Sequence, residues 1–269
     1  MTVITTIISK DCTVHATDSL VSLLEDGATT PDNFESKIHR VEKFRGAIST
    51  CGLSQYGGWT ARLWLSLKIG EVDEFEESSE FAAFLCQKLN EETNDMKFDK
   101  EQPFGILMHF SAYEKFGNNE NESRIPELYL ISNYEDTEYG VKDKVHWSRE
   151  TYIHCPGRDV SISPGDFLAQ AFVDLMLHEG NWLIFNNGDP KMFNPMANSI
   201  IKSYRELEER GDLDEENPVS SLRNLATCAV DMVSLAQSKL CKPGSQLVGG
   251  ETHNIAITPH GHYSSDTED

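Results

Sequence analysis

The first seventeen residues, MTVITTIISKDCTVHAT, constrain the fold more than any other part of the sequence. Thr, Val and Ile dominate residues 2–9, and β-branched residues favour strands. Lys10 and Asp11 supply a two-residue turn, and residues 12–17 return as a second strand, which predicts a β-hairpin. Most chains begin with a frayed polar segment, whereas this strand starts directly behind Met1. The beginning of the chain is therefore expected inside a sheet.

The bulk composition excludes several functional classes. Of the 269 residues, 39% are hydrophobic, which is enough for a sizeable core. The 23 basic and 44 acidic residues give a net charge of −21, which argues against binding to nucleic acid or to an anionic membrane, because both need Lys and Arg. No apolar run is long enough to cross a bilayer, and the basic and apolar parts of a signal peptide are missing. We expect a cytoplasmic protein with reduced cysteines.

Hydrophobic periodicity outlines the remaining elements, since a period of two indicates strands and a period near 3.6 indicates helices. Further strands are predicted at residues 37–41, 45–51, 105–110, 127–132 and 253–258. Helices are predicted from Trp59, at 78–90, from Ser163, at 195–210 and from Pro218. Gly, Pro, Asp and Asn predict a loop at 19–36, and residues 133–160 are polar and irregular.

The order of these elements predicts an α+β fold. Strands at both ends of the chain, with two groups of helices, favour a four-layer αββα sandwich, in which two antiparallel sheets lie between helical layers. No repeat and no interdomain linker is found, so residues 1–262 are expected to form one domain. Residues 263–269 form an acidic tail that is expected to be disordered.

Thr2 is the first candidate for chemistry. A small residue behind Met1 allows the initiator to be removed, which would make Thr2 the N-terminus. A free N-terminal threonine carries a hydroxyl nucleophile and an α-amine, whose usual pKa of about 7.7–8.0 lets it accept the hydroxyl proton. Many chains have threonine second, so the surrounding pattern decides.

Three residues follow Thr2 at informative spacings. Asp18 lies 16 positions after Thr2 and is followed by Ser19. Lys37, in KIHRV, supplies an ammonium that Asp18 could hold and that would lower the pKa of neighbouring groups. Gly52, in TCGLS, lies 15 positions after Lys37, and a glycine there lets another backbone approach closely. Taken singly, these residues are also explained as a surface ion pair and a turn glycine.

Together these features resemble the proteasome β-subunit family of N-terminal-nucleophile hydrolases, especially its simple bacterial form. The end of the chain agrees, since a long helix from Pro218, the pair Gly249 and Gly250, and the strand HNIAITP follow in the family's order. The resemblance implies the αββα sandwich and an inserted region around residues 133–216.

The resemblance also implies roles for four residues. Thr2 would attack the peptide bond with its own amine as base, Lys37 would tune that amine, and Asp18 would orient Lys37. The N–H of Gly52 would stabilise the oxyanion.

The implied activity is that of a threonine-type endopeptidase acting on peptide or protein substrates in a ring-shaped homo-oligomer. An ATP-dependent unfoldase, which serves the bacterial relatives, is a candidate partner. No cofactor and no metal is expected, because the spacing of His253, His260 and His262 fits no structural zinc pattern. Neither nucleic acid nor a membrane is expected as a partner.

The sequence departs from the family just before the Gly-Gly turn. There the family has D-x-x-S, which orients the N-terminal amine, and this chain has Ser245 and Val248. Because a valine side chain cannot hydrogen-bond, a second hypothesis is a catalytically silent structural subunit. A third is an amidase acting on a small-molecule amide. The family's G-S-G loop has two candidates, residues 163–165 and Asn187 with Gly188.

Two rival nucleophiles stay open at this point. Thr5, in TTII, would become N-terminal if a propeptide were cleaved, which would shorten the first hairpin by three residues. Cys12 or Cys155 could act as a thiol nucleophile with His15 or His154.

Overall fold

The protein is represented by a computed structural model, which describes most of the chain. The described residues are 3–9, 11–25, 28–52, 55–56, 59–92, 105–116, 123–134, 141–151, 182–187, 190–212, 217–240, 248–261 and 263–265. Thr2, Ser245 and the helix predicted from Ser163 lie outside these ranges. The described residues form an α+β structure, as expected.

One antiparallel sheet combines strands from the two ends of the described chain with one from its middle. Its strands are β1 (Ile4–Ser9), β2 (Thr13–Asp18), β12 (Trp182–Asn187), β13 (Thr252–Ile257) and β14 (Tyr263–Ser265). They are arranged in the order β12-β1-β2-β13-β14. The predicted N-terminal hairpin is confirmed, with Ile4 opposite Thr17 and Ile8 opposite Thr13. We call this the first sheet.

The second sheet is also five-stranded and antiparallel. Its strands are β5 (Ile38–Val41), β6 (Gly46–Gly52), β9 (Ile106–Phe116), β10 (Ser123–Tyr134) and β11 (Val141–Thr151), in the order β11-β10-β9-β6-β5. Two small hairpins stand apart from the large sheets. They are β3 (Leu20–Glu25) with β4 (Ala28–Phe34), and β7 (Gln55–Tyr56) with β8 (Trp59–Thr60).

Four described α-helices accompany the sheets. They are α1 (Ala61–Ile69), α2 (Ser78–Glu92), α3 (Pro190–Glu209) and α4 (Pro218–Leu240). The hydroxyl of Thr60 caps α1 by accepting a 3.3 Å hydrogen bond from the N–H of Leu63, which satisfies a backbone donor of the first turn. None of the described helices is long and apolar enough to span a membrane.

Each pair of helices packs on one sheet through its own hydrophobic cluster. Phe81, Leu85 and Leu89 of α2 are buried together with Phe110 and Tyr129 of the second sheet. Leu222, Ala226 and Val230 of α4 are buried against Val14 and Ala16 of β2. Full burial of one Phe or Leu contributes about 1.5–3 kcal/mol, so these two clusters dominate the stability of the fold.

Polar side chains connect the two sheets around His15 of β2. Its Nε2 lies 2.7 Å from Ser111 Oγ, and its Nδ1 lies 2.9 Å from Ser49 Oγ, on strands β9 and β6. Burial and the nearby His109 lower the pKa of His15 to about 3. The imidazole is therefore neutral at pH 7, and its two nitrogens are satisfied by hydroxyls across the interface between the sheets.

A second histidine, His109 of β9, continues this polar layer. Its Nδ1 lies 2.8 Å from Thr6 Oγ1 on β1, and its Nε2 lies 2.7 Å from Asn187 Oδ1 on β12. Burial lowers the pKa of His109 to about 4. The layer fixes the relative position of the sheets. A shift of one sheet would leave buried polar groups without hydrogen-bond partners, and this would destabilise the folded state.

The structure corrects three expectations. Residues 19–36, predicted as a loop, contain the hairpin β3–β4. Pro31 is tolerated there because a two-stranded sheet has free edges, and a register shift lies between Val21 and Ser22. The irregular region contains β11, and β12 follows it. The tail was expected to be disordered from Tyr263, but residues 263–265 pair with β13.

The buried histidines predict that acid destabilises the fold. Both have folded pKa values below the ordinary 6.5, so the unfolded chain binds protons first as the pH falls. Stability is fully present above pH 6.5 and decreases towards pH 4 by about 1.4 kcal/mol per histidine and pH unit. Urea unfolding at pH 7.5, 6.0 and 5.0 measures this slope.

The slope should flatten in the double variant His15→Gln with His109→Gln, because glutamine does not take up a proton. His260→Gln is the matched control, since His260 is exposed and lies in the turn after β13. An unchanged slope in the double variant would contradict the assignment.

Candidate active site

The carboxylate of Asp18 is the centre of the site. Asp18 ends β2 and is 1% exposed. Its Oδ1 accepts hydrogen bonds from the N–H of Val3 at 3.0 Å and from Lys37 Nζ at 3.2 Å. Its Oδ2 accepts one from the N–H of Gly249 at 3.2 Å. Three donors thus compensate for the loss of water around a buried charge.

Lys37 lies directly before β5 with its side chain buried. Its Nζ donates to the carbonyl of Leu20 at 2.6 Å as well as to Asp18, and its own carbonyl accepts from Thr50 N at 3.0 Å. Burial lowers the pKa of Lys37, and the charge of Asp18 opposes that effect only in part. The ammonium is therefore a stronger acid than a lysine in water, next to the start of β1.

The register of the first sheet explains why these groups meet. Antiparallel pairing places Asp18 at the same sheet end as the start of β1, with Thr252 of β13 opposite it on the other side. The turn before β13 then reaches Asp18 through Gly249, whose carbonyl also accepts from Leu20 N at 2.9 Å. Sequence analysis did not assign this role to Gly249, because it depends on pairing between distant strands.

Gly250 completes the turn, and its backbone requires glycine. Its φ is +79°, in the left-handed region that favours glycine. A Cβ there would lie 2.4 Å from Ser19 Oγ and 2.5 Å from the ring of Phe34. A side chain at this position would therefore push the turn away from Asp18.

Two of the four predicted site residues, Asp18 and Lys37, are brought together as expected. Thr2 lies outside the described residues, but its neighbour Val3 is fixed by Asp18. Gly52 ends β6, two residues after Thr50, which is hydrogen-bonded to Lys37. Its φ of +95° is again a glycine conformation, consistent with a turn in which the backbone can approach a ligand closely.

Cys51 is a neighbour that sequence analysis missed. Burial raises its pKa to about 12, with a smaller lowering by Lys37 and a raising by Asp18. The two charges of the ion pair therefore change the pKa of the thiol less than burial does, and the thiol stays protonated at neutral pH. A thiol in this state is a poor nucleophile, so Cys51 is not expected to act as an attacking group.

The structure disfavours the two rival nucleophiles. Thr5 is the second residue of β1 and is fully buried, between Ala16 and Asn186 on the neighbouring strands. Cys12 is also fully buried, and burial raises its pKa to about 11. His15 binds serines of the second sheet instead. The alternative pair of Cys155 and His154 lies outside the described residues.

The position where the family has an orienting serine is part of the core in this chain. Val248 is fully buried in the cluster beneath α4, and its N–H donates to Gln237 Oε1 at 2.9 Å. Asn187, one candidate for the G-S-G loop, lies opposite Ile4 and therefore beside the start of β1. The other candidate, residues 163–165, lies outside the described ranges.

Comparison of the sequence with protein-family models and with characterised proteins gives no match. Within the part of the chain that is described, no group of three or more His, Cys, Asp or Glu side chains could hold a metal ion.

The buried ion pair predicts unequal effects of two variants. Asp18→Asn keeps the shape but leaves Lys37 without its counter-charge, and breaking a buried pair in this way costs about 3–5 kcal/mol. Lys37→Met should cost less, because Asp18 keeps the N–H donors of Val3 and Gly249. Urea unfolding of each variant at pH 7.5 measures the difference.

The double variant should lose less than the sum of the two, since the charges are removed together. Glu91→Gln breaks the exposed pair with Lys88 and serves as the control, with no measurable change expected. A loss below about 1 kcal/mol for Asp18→Asn would show that the pair is not buried in solution.

Proposed function

We propose that this chain is a threonine-type peptidase that cleaves peptide bonds through an acyl-enzyme on Thr2, once Met1 has been removed. The observation that carries the proposal is the double role of Asp18, which binds the N–H of Val3 and the ammonium of Lys37 with the same oxygen. The residue directly after Thr2 is thereby fixed beside a buried cation.

The proposed reaction uses two groups of one residue. The Oγ of Thr2 attacks the substrate carbonyl carbon while its proton passes to the α-amine. The resulting oxyanion accepts a hydrogen bond from the N–H of Gly52. When the intermediate collapses, the C–N bond breaks and the leaving amine takes the proton from the α-ammonium. Water then attacks the ester by the reverse route and regenerates Thr2.

Lys37 supports this chemistry electrostatically. A cation close to the threonine stabilises the developing alkoxide and lowers the pKa of the α-amine, which keeps the amine neutral and able to accept a proton. Burial among the atoms of Asp18 and Leu20 strengthens the effect, because little water screens the charge. Asp18 orients the ammonium and does not react.

The proposed architecture is the αββα sandwich of N-terminal-nucleophile hydrolases. It is supported by the hydrophobic cluster of each helix pair with one sheet, and by the hydrogen bonds of His15 and His109 across the sheets.

A ring-shaped homo-oligomer would confine the nucleophile. Leu63 and Leu67, each 61% exposed and one turn apart on α1, offer an apolar surface for such a contact.

A second candidate function, a catalytically silent subunit of the same fold, is favoured by Val248. Its side chain is buried in the core and cannot orient an N-terminal amine. In a silent subunit the ion pair of Asp18 and Lys37 would only fix the start of β1.

The proposal predicts that the purified chain begins at Thr2 and reacts with an epoxyketone or β-lactone probe at that residue. Intact mass and peptide mapping after labelling test both points. Thr2→Ala should abolish labelling and Thr2→Ser should retain it. Lys37→Met should slow labelling by about 100-fold, the size of effect expected when an electrostatic stabiliser is lost.

Retained Met1 together with no labelling would refute the peptidase and support the silent subunit. Circular dichroism of Lys37→Met controls for folding.

The proposed ring-shaped homo-oligomer predicts a native mass several times that of the 30.3 kDa subunit. Light scattering coupled to size exclusion measures it. The variant Leu63→Glu with Leu67→Glu should shift the protein towards a monomer, if α1 lies in a subunit contact. A monomeric wild type that hydrolyses small amides but no peptide would instead support the amidase hypothesis.

A further inference from the structure

The groups of the proposed site are divided between the two sheets. Asp18 and β1, the strand at the beginning of the described chain, belong to the first sheet, whereas Gly52 ends β6 of the second sheet. Attack by a nucleophile carried by β1 and stabilisation of the oxyanion by Gly52 therefore require a fixed distance between the sheets. The polar layer of His15 and His109 supplies contacts that fix such a distance.

His109 is hydrogen-bonded at both ring nitrogens, and its partners determine the direction of each bond. The Oδ1 of Asn187 can only accept, so the Nε2 of His109 donates the 2.7 Å bond. A neutral imidazole carries one proton, so its Nδ1 accepts the 2.8 Å bond from the hydroxyl of Thr6. Loss of that hydroxyl would leave the Nδ1 of a fully buried ring without its donor.

The neighbouring threonine makes no such bond. Thr5 and Thr6 are both fully buried, but the side chains of a strand alternate between its two faces. Thr6 faces the second sheet, whereas Thr5 shares its face with Val3 and Ile7, which pack in the cluster beneath α4. The hydroxyl of Thr5 has no hydrogen-bond partner among the described residues. Of these two threonines, only Thr6 connects β1 to the second sheet.

The polar layer lies at a similar distance from both halves of the site. Thr6 follows Val3 by three residues, which corresponds to about 10 Å along a strand. On β6, Ser49 precedes Gly52 by three residues. The Oγ of Ser49 lies 2.9 Å from the Nδ1 of His15, so the strand that ends at Gly52 is also connected to the first sheet.

We propose that His109, acting through Thr6, is a positioning residue of the peptidase, and that the polar layer fixes the distance between the strand of the nucleophile and the N–H of Gly52. This inference rests on the proposed function and extends the reaction's requirements to residues that do not touch the substrate. A misplacement of about 1 Å can lower a reaction rate by about 100-fold, so a contact at this distance can control the rate.

The polar layer has a competing explanation, in which it only stabilises the folded state. Loss of a hydrogen bond would then lower the free energy of unfolding, but the folded molecules would react at the wild-type rate. Positioning would instead slow the reaction of molecules that are folded and have bound their ligand. The two explanations therefore differ in the rate at saturating ligand.

The test measures the labelling of Thr2 by a β-lactone probe over a range of probe concentrations, which separates probe binding from the chemical step. Thr6→Val keeps the shape of the side chain and removes the hydroxyl. We expect it to lower the rate at saturating probe by about tenfold, because β1 is no longer held against the second sheet. The half-saturating concentration should not change. Thr6→Ser keeps the donor and should restore most of the rate.

Thr5→Val is the matched control, because it makes the same change at the adjacent buried residue, whose hydroxyl has no partner among the described residues. It should be labelled at the wild-type rate. Ser49→Ala tests the layer from the side of β6 and should also slow labelling at saturating probe, which keeps the test decisive if Thr6→Val does not fold. Circular dichroism verifies that each variant is folded.

The NMR signals of the ring nitrogens test the hydrogen bond itself, independently of any activity. In the wild type, the proton of His109 should be on Nε2. The Nδ1 signal should shift in Thr6→Val and stay unchanged in Thr5→Val.

A folded Thr6→Val or Ser49→Ala that is labelled at the wild-type rate would overturn the proposal, and so would an equal loss of rate in Thr5→Val. A proton on the Nδ1 of His109 would do the same, because Thr6 would then not be the donor. Failure of the peptidase function would overturn it with a different signature. The wild type would then keep Met1 and resist labelling, while the NMR signals would still report the bond between His109 and Thr6.

Discussion

The buried carboxylate of Asp18 is the interaction on which the described structure depends most. It binds Val3 near the start of the chain, Lys37 before β5 and Gly249 near the end. A buried carboxylate is costly unless donors surround it, and these donors are in place only when β1, β2 and β13 have the correct register. The same hydrogen bonds therefore stabilise the fold and determine which groups meet at the candidate site.

The polar layer between the sheets serves a related purpose. An apolar interface would tolerate small shifts of one sheet against the other, whereas His15 and His109 each accept only one arrangement of hydroxyl and amide partners. Thr6 belongs to β1, so the layer also fixes the strand that carries Val3 to Asp18. Two neutral histidines with fixed hydrogen-bond partners in the interior therefore favour one relative position of the sheets.

Much of the fold could be predicted because its signals are local. The hairpin of β1 and β2, the pair of β5 and β6, and the helices α1, α2 and α4 follow from residue periodicity within short segments. The hairpin β3–β4 was missed because Pro31 and neighbouring polar residues are typical of loops. Strands β11 and β12 lack a clear alternation, and their pairing with β10 and β1 provides what the local sequence does not.

The site was predictable to a similar extent. The resemblance of the sequence to a known family pointed to Asp18 and Lys37, and the structure brings the two residues together across the intervening hairpin β3–β4. Gly249 and the histidine pair could not be assigned, because their contacts join residues far apart in sequence. Val248 shows the opposite case, where a residue conspicuous in the sequence proves to be an ordinary member of the core.

The separation of 231 residues between Asp18 and Gly249 has a consequence for biosynthesis. While the chain emerges from the ribosome, one edge of β2 stays unpaired until β13 is made. Until then the Oδ2 of Asp18 also lacks its hydrogen bond from the N–H of Gly249. Contacts of such long range form late, because they must close a very large loop. The nascent protein therefore assembles its lysine and carboxylate early, but it encloses them only when translation has passed Gly249.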